Sequence, residues 1–272
     1  MKYEVIKYPD NTQYVRINKF SDRLDFRLNS YEDLWTLRQI KDVCDFNNQE
    51  VDLYIPCLLD AQADKRFNNN ESSGLKLVCE FINSMKFRSV YVFHPHNPEV
   101  VEALLENVIV LDNSGFINRD SQKVIGKLIT KFDNITSITT EDNLILFSSD
   151  AGGFKPLMKI ADKLGWRGEV YSASKSRKYE EGKSKLVQVI DRQDFQGKDI
   201  LIIDDICVYG GTFVGLAKML KERNCGKLFL AVSHLSIQNP NEELYEYFDT
   251  IFTTDSKGFE YQNEKIEVLV NN

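Results

Sequence analysis

The sequence predicts an α/β protein of two related lobes, each a mostly parallel sheet flanked by helices. Three observations carry this reading. Short apolar, β-branched runs alternate with helical patterns from Val51 onward. The order strand, loop, helix, strand, histidine occurs over Val51 to His96 and again over Ile200 to His234, with the similar helix openings SGLKLV and VGLAKML. A chain of 272 residues with 42% hydrophobic content is ample for one large core or two moderate ones. The lobes divide near residue 118, giving domains 1–118 and 119–272.

The elements follow in order. VDLYIPCLL reads as a strand, and SGLKLVCEFINSM as a helix with Leu75, Val78, Phe81 and Ile82 at helical spacing. SVYVFHPHN is the next strand, and PEVVEALLEN is a helix with Pro98 near its start. NVIVLDN is a strand and SQKVIGKLITKF a helix. NLILFSSDAGG is a strand ending in polar residues and glycines, followed by the helix FKPLMKIADKLG, which Gly165 stops. EVYSAS is a strand. KDILIIDD is a strand whose helix is TFVGLAKMLKERN. KLFLAVSHLS, ELYEYF, DTIFTTD and KIEVLV continue the alternation.

Net charge is −7, so no global basic field exists to hold nucleic acid or an anionic membrane. An anionic ligand must be met by local positive charge. The five cysteines, Cys44, Cys57, Cys79, Cys207 and Cys225, form no CxxC pair, which suggests neither a zinc site nor a disulfide framework. Reduced thiols fit a cytoplasmic protein. The N-terminal MKYEVIKYPDNTQ has no apolar signal core, and no apolar run approaches membrane-spanning length.

In open parallel sheets, ligands bind beyond the carboxyl ends of the strands, and three strand ends here carry chemistry. The first is Asp204-Asp205 followed by Ile206-Cys207-Val208-Tyr209-Gly210-Gly211-Thr212. Adjacent carboxylates there can accept hydrogen bonds from vicinal sugar hydroxyls, or help hold a hydrated Mg²⁺. The glycines let backbone N–H groups face inward as an anion nest, and Thr212 opens a helix whose N-terminus favours phosphate. The plain reading is a strand, a turn and a cap. The second is Asp150, with Gly152, Gly153 and Lys155 after it. It suits a sugar or metal–phosphate contact, and equally a glycine turn with a capping Asp. The third is FHPHNPE, which holds His94 and His96, two of the three histidines. Histidine there binds phosphate or metal, or is structural. SKSRKYEEGKSK carries Lys175, Arg177, Lys178, Lys183 and Lys185 against Glu180 and Glu181. It reads either as a solvated loop or as a mobile basic lid that closes over a polyphosphate and neutralises charge developing in a transition state.

LIIDDICVYGGT resembles the phosphoribosyl-diphosphate motif of type I phosphoribosyltransferases and of ribose-phosphate diphosphokinases, and the other segments favour the latter. FSSDAGGFK is similar to their SPDAGG-K stretch. SKSRK resembles their catalytic loop, with Lys175 and Arg177 on its Lys-x-Arg pair. FHPHNPEVVEAL resembles D-L-H-x-P-Q, with His96 on the histidine. IPCLLDAQADKRF resembles I-P-Y-x-x-Y-A-R-Q-D-[KR]-K, with Asp64 matching and Arg66 close behind. KYPDNTQ, with Asp10, is similar to an F-x-D-G-E loop near the adenine site. The ordered matches cover most of the chain. The resemblance implies the phosphoribosyltransferase fold in both lobes. It also implies transfer of the β,γ-diphosphoryl group of ATP, with Mg²⁺, to the C1 hydroxyl of a ribose 5-phosphate, releasing AMP. By resemblance, Lys175 and Arg177 stabilise the transferring group, and His96 and Asp150 serve Mg²⁺–ATP as metal and catalytic residues. Asp204 and Asp205 bind the ribose hydroxyls, and Gly210, Gly211 and Thr212 the 5′-phosphate. Asp10, Asp64, Arg66 and Lys155 face the nucleotide. The family builds its ATP site across subunits, so a homo-oligomer, dimer or larger, is implied.

The chain departs from the family at informative places. In D-D-x-x-D-T-x-G-T the third Asp is Val208 and the Thr is Tyr209. In A-R-Q-D the Arg is Gln62 and the Gln is Ala63, and the Asp of D-L-H is His94. The chain also starts later than family members and stops soon after KIEVLV, so the family's allosteric control and hexamer are not carried over. A retained transfer loop with a remodelled 5′ pocket suggests a different acceptor, such as ADP-ribose, with Tyr209 beyond the first phosphate. Two other readings stand beside this one. A type I phosphoribosyltransferase would consume phosphoribosyl diphosphate, and a regulatory homologue would have no catalysis.

Overall fold

The structure, a computed structural model, describes residues 1–66, 68–129, 139–180 and 183–270, without the side chains of 175–180 and 183–187. The chain forms two compact units, Met1–Asp112 with Ser256–Gly258, and Asn113–Asp255 with Phe259–Asn272.

The first unit opens with an antiparallel hairpin, β1 (Lys2–Lys7) and β2 (Gln13–Lys19). Then come β3 (Arg23–Asp25), α1 (Tyr31–Phe46), β4 (Asp52–Ile55), α2 (Gly74–Asn83), β5 (Val90–Phe93), α3 (Pro98–Leu104) and β6 (Val108–Leu111). The last four strands make a parallel sheet in the order β3-β4-β5-β6. The expected strands and helices from Val51 onward are present, each shorter than its apolar run. Pro98 sits in the first turn of α3, where its missing N–H has no partner to lose.

The four elements ahead of Val51, β1, β2, β3 and α1, were not anticipated. The hairpin β1–β2 closes over Asp10, whose carboxylate accepts from Thr12 N at 3.0 Å and Thr12 Oγ1 at 2.7 Å. Helix α1 starts at a reciprocal cap: Asp33 N donates to Ser30 Oγ at 3.3 Å, and Ser30 N donates to Asp33 Oδ2 at 2.8 Å. Its Leu34, Leu37, Ile40 and Cys44 recur at helical spacing and are buried in the core of this unit.

The second unit begins with α4 (Ser114–Ile117) and α5 (Val124–Ile129); the rest of the expected helix 121–132 lies outside the described residues. Then follow β7 (Leu144–Ser148), α6 (Ala151–Leu164), β8 (Val170–Ser172), β9 (Ser174–Glu180), β10 (Lys183–Val189), β11 (Asp199–Cys207) and α7 (Gly211–Lys221). β12 (Leu228–Leu235), α8 (Glu243–Tyr247), β13 (Thr250–Thr254) and β14 (Ile266–Leu269) complete it. Six strands form a parallel sheet in the order β14-β13-β12-β11-β7-β8.

Strand periodicity explains the layering. Along β11, Ile200 and Ile202 join a core with Phe213, Leu216 and Leu220 of α7. The alternating Leu201 and Ile203 join another with Leu157, Ile160 and Ala161 of α6. Both faces of the sheet are covered, so its central strands read as unbroken apolar runs.

Three details differ from the sequence reading. β11 continues through Asp204 and Asp205 to Cys207, because β12 keeps pairing with it as far as Cys207↔Leu235, whereas β7 stops at Ile203↔Ser148. Helix α6 starts at Ala151, so Gly152 and Gly153 lie in its first turn and not in a loop. The basic stretch is a two-stranded antiparallel ribbon, β9–β10, with Lys175 opposite Gln188 and Arg177 opposite Leu186. The five cysteines are free thiols, as expected. Among the described residues, no helix is long and apolar enough to cross a membrane.

The cap of α1 is testable. Ser30→Ala removes the oxygen that satisfies Asp33 N and should cost about 1 kcal/mol in urea denaturation, with Ser30→Thr close to wild type. An unchanged midpoint for the alanine variant would show that α1 does not depend on this cap.

Candidate active site

In the six-stranded sheet, chain direction reverses between two neighbouring strands. From β7 the chain crosses by α6 to β8 on one side, and from β11 it crosses by α7 to β12 on the other. Helices α6 and α7 therefore pack on opposite faces, and their N-termini diverge above the carboxyl ends of β7 and β11. That switch point is where an open parallel sheet leaves a crevice. The residues there are Ser148, Ser149 and Asp150 from β7, and Asp204 to Thr212 from β11.

Asp204 is held on both sides. Ser149 Oγ donates to Asp204 Oδ2, and Asp205 N donates to Asp204 Oδ1 at 2.9 Å. Burial, then the charge of Asp205, then a hydrogen bond between the two side chains push the Asp204 carboxyl up to about 7; the Ser149 hydroxyl works against this. Asp204 thus meets a second carboxylate at a half-buried stretch of the strand. Such a site gains from a ligand that brings hydroxyl donors or positive charge. Burial, with Asp204 beside it, also pushes the Cys207 thiol up to about 12, so it stays protonated at neutral pH.

After Cys207 the chain turns sharply. Gly210 has φ 102°, and a Cβ there would lie 2.5 Å from Leu244 Cδ1, so only glycine fits. Asn241 N also donates to Tyr209 O at 2.9 Å. The turn is pinned from below by α8 and its approach, while Val208 and Tyr209 are 44% and 62% exposed on its outer side. Gly210 is the N-cap of α7 and Gly211 its first residue, with Thr212 exposed beside it. The N–H groups of this first turn face an end of positive helix dipole.

Asp150 caps α6: its Oδ1 accepts from Gly153 N at 3.0 Å. A Cβ on Gly153 would meet Ser148 Oγ at 2.5 Å, so the glycine permits the close approach of helix and strand. The capping reading of Asp150 is therefore realised, at the rim of the same crevice. Lys155 is exposed on α6. Gln188 Nε2 of β10 donates to Ser149 O at 3.2 Å, tying the basic ribbon to β7. The side chains of Lys175 and Arg177 lie outside the described residues.

The first unit gathers a second set. β5 ends at Phe93, and His94 follows with φ 37°, a backbone that side chains adopt under constraint. His96 is exposed, and Asn97 caps α3 by accepting from Val100 N at 3.3 Å. Asn97 Nδ2 donates to Asp64 Oδ2 at 2.9 Å, which brings the Asp64 segment to the His94–His96 segment. Arg66 is exposed nearby in sequence, and Asp10 stands at the hairpin tip, its carboxyl held below the usual range by the Thr12 donors.

Sequence reasoning missed two contacts in the second unit. Ser149 was visible only as a small polar residue at the end of an apolar strand. Gln188 carried no signal, since its partner is set by the ribbon's register. An all-oxygen, negatively charged donor set suits Mg²⁺, which keeps several waters and takes one or two carboxylates together with substrate phosphates. Among the described residues, no group of three or more His, Cys, Asp and Glu is placed to hold a metal. The carboxylates of Asp150, Asp204 and Asp205 are the oxygen donors that a Mg²⁺ sharing phosphate oxygens would take.

Residues 118–265 match the family described as phosphoribosyl transferase domain. The ribose-phosphate pyrophosphokinase of Chlorobaculum tepidum is 30% identical over 213 residues, 77% of this chain; the chain spans 60% of that relative's length. The ribose-phosphate pyrophosphokinase of Pyrococcus furiosus is 23% identical over 262 residues, 93% of this chain and 85% of the relative. A crystal structure of phosphoribosylpyrophosphate synthetase from Mycobacterium smegmatis superposes with a TM-score of 0.73 at 16% identity, covering 99% of this chain and 86% of that one. That last likeness is one of fold.

The half-buried acid pair makes stability depend on pH with a defined sign. Because Asp204 titrates higher in the folded chain than its ordinary 3.8, the folded state binds more protons than the unfolded one between about pH 4 and pH 7. The contribution is present at the acid end and is lost as pH rises through 7. Asp204→Asn should flatten this fall in urea midpoints measured across the window; an unaltered slope would relieve Asp204 of the role.

Proposed function

This chain belongs to the phosphoribosyl transferase domain family, and from that premise we propose that it is a ribose-phosphate pyrophosphokinase, which transfers the β,γ-diphosphoryl group of ATP to the C1 hydroxyl of a ribose 5-phosphate moiety, releasing AMP. The observation that carries the reading is the switch-point crevice, where a half-buried acid pair stands before a glycine turn and a helix N-terminus. An acid pair accepts vicinal sugar hydroxyls, and a helix N-terminus accepts phosphate. One ligand with both groups, spaced as in a ribose 5-phosphate, satisfies them together.

In this reading Asp204 and Asp205 hold the ribose hydroxyls, and Gly210, Gly211 and Thr212 hold the 5′-phosphate. The C1 oxygen attacks the β-phosphorus in line while the bond to AMP breaks. Catalysis then rests on positioning and charge neutralisation. Lys175 and Arg177 stabilise the transferring group. Asp10, Asp64, Arg66 and Lys155 serve the nucleotide, and His96 and Asp150 the metal–phosphate end. Mg²⁺, when bound, offsets phosphate charge. A homo-oligomer belongs to the same proposal.

The acceptor is further proposed to be a 5′-substituted ribose such as ADP-ribose. Val208 stands where the related motif has a carboxylate, so one negative charge is absent beside the 5′-phosphate. A second phosphate is then less repelled. Tyr209, exposed on the same turn, offers a ring to whatever lies beyond it.

Two experiments test this. With ATP and Mg²⁺, AMP formation and a new sugar 1-diphosphate by phosphorus NMR should appear with ADP-ribose above ribose 5-phosphate. Equal or better turnover of ribose 5-phosphate would sink the altered acceptor. No product from either, with diphosphate released from phosphoribosyl diphosphate and a base, would favour a phosphoribosyltransferase. Lys175→Ala should lower turnover by about 10²–10³-fold with an unchanged melting temperature. In the second experiment the paired change Val208→Asp with Tyr209→Thr should shift preference toward ribose 5-phosphate on the order of tenfold. An unmoved preference would remove the turn from acceptor choice.

A further inference from the structure

In the SPDAGG-K stretch that FSSDAGGFK resembles, a proline stands where this chain has Ser149. The structure gives that difference a set of contacts. Ser149 is buried, its Oγ donates to Asp204 Oδ2, and its carbonyl accepts from Gln188 Nε2 at 3.2 Å. The other oxygen of Asp204 accepts the Asp205 N–H at 2.9 Å. Each oxygen of one carboxylate therefore has its own donor, and the plane of the group is set from both sides. A proline offers no hydroxyl for this. Gln188 in turn stands opposite Lys175 in the β9–β10 ribbon. A single residue thus touches the acid strand with its side chain and the base of the basic ribbon with its backbone.

We propose that Ser149 is a positioning residue that orients the Asp204 carboxylate toward the acceptor's sugar hydroxyls and, through Gln188, fixes the base of the β9–β10 ribbon beside the acid pair. This rests on the diphosphoryl-transfer reading above. The physical reason is directional. A carboxylate accepts two vicinal hydroxyls well only when its plane faces them. An aspartate carboxyl otherwise turns broadly about its terminal torsion. Hydrogen bonds to a charged acceptor are strong enough to select one orientation. Ser149 acts through Asp204, so its loss falls on the acceptor and not on ATP.

The test uses the full chain with Ser149→Ala, Ser149→Thr, Gln188→Leu and the Ala/Leu double variant. Three quantities are read: thermal melting, calorimetric binding of ribose 5-phosphate and of ADP-ribose without ATP, and steady-state AMP formation. Ser149→Ala should weaken acceptor binding and raise the acceptor KM about tenfold, with the KM for ATP and the melting temperature near wild type. Ser149→Thr, which keeps the hydroxyl, should recover most of the loss. Gln188→Leu should act in the same direction but less, and the double variant should be no worse than Ser149→Ala, because Gln188 holds the Ser149 backbone and reaches Asp204 only through the Ser149 hydroxyl.

Wild-type acceptor binding and KM in Ser149→Ala would overturn the inference, as would equal losses in the Ala and Thr variants or a loss seen only in melting. Additive losses in the double variant would overturn the link through Gln188. If Ser149→Ala fails to fold, Gln188→Leu carries the test, and unchanged acceptor binding there overturns the coupling. An inert wild-type chain that binds neither acceptor overturns the reaction and this inference with it. An active wild type with a silent Ser149→Ala overturns this inference alone.

Discussion

Asp204 and Asp205 are neighbours in a central strand of a parallel sheet, and the fold must hold two half-buried carboxylates side by side. An uncompensated charge costs several kcal/mol when fully buried, on the order given for buried ions. The structure answers with local donors, from Ser149 Oγ and the Asp205 N–H, and with a rise in the proton affinity of Asp204. Two adjacent carboxylates also attract ligands that bring hydroxyl donors or positive charge. Buried polar residues gather at this end of the sheet, with Ser148 and Ser149 at the end of the neighbouring strand on one side and Ser233 and His234 on the other.

The location of the pair follows from topology. Beyond Ile203, β11 has lost β7 on one side but keeps β12 on the other. The acids therefore sit where the backbone is still ordered by one neighbour and already open toward the other. The crossovers through α6 and α7 run to opposite faces, so neither helix covers this opening. The same divergence places two helix N-termini at adjacent strand ends, where anions are favoured. Acid pair and phosphate-favouring helix ends would repel different ligands if they stood apart. Side by side, they select a molecule that carries hydroxyls and phosphate together.

Much of this was legible in the sequence. The runs LILFS and ILII announced strands buried on both faces, and each was followed by its acids and glycines in order. Local signals failed where a structure is set by its partners. Asp204 and Asp205 read as a strand's end because two charges break an apolar run, yet β12 extends the strand past them to Cys207. The basic stretch 174–185 read as a loop because its side chains are charged, but pairing in β9–β10 depends on backbone groups that composition does not reveal. Helix α1 had its signal, with Ser30 three residues before Asp33 and then Leu34, Leu37 and Ile40, but these were masked by the charged residues between them. Ser149 and Gln188 were beyond reach, since both matter through residues distant in sequence.

The turn at Val208–Tyr209 separates side chains that would meet a ligand from the backbone that frames them. Gly210 is fixed by its positive φ and by Leu244 beneath it, and Tyr209 O is tied to Asn241 N. The backbone that presents N–H groups to phosphate therefore does not depend on the side chains at 208 and 209, which point away from those restraints into solvent. Charge and bulk at these positions are free to vary while the acid pair and α7 stay in place. Val208 removes a negative charge and Tyr209 adds a ring, both at the edge where an acceptor's 5′ end would leave the pocket. In the proposed reaction the acid pair would fix which part of the acceptor reacts, and the turn what the rest of it is allowed to be.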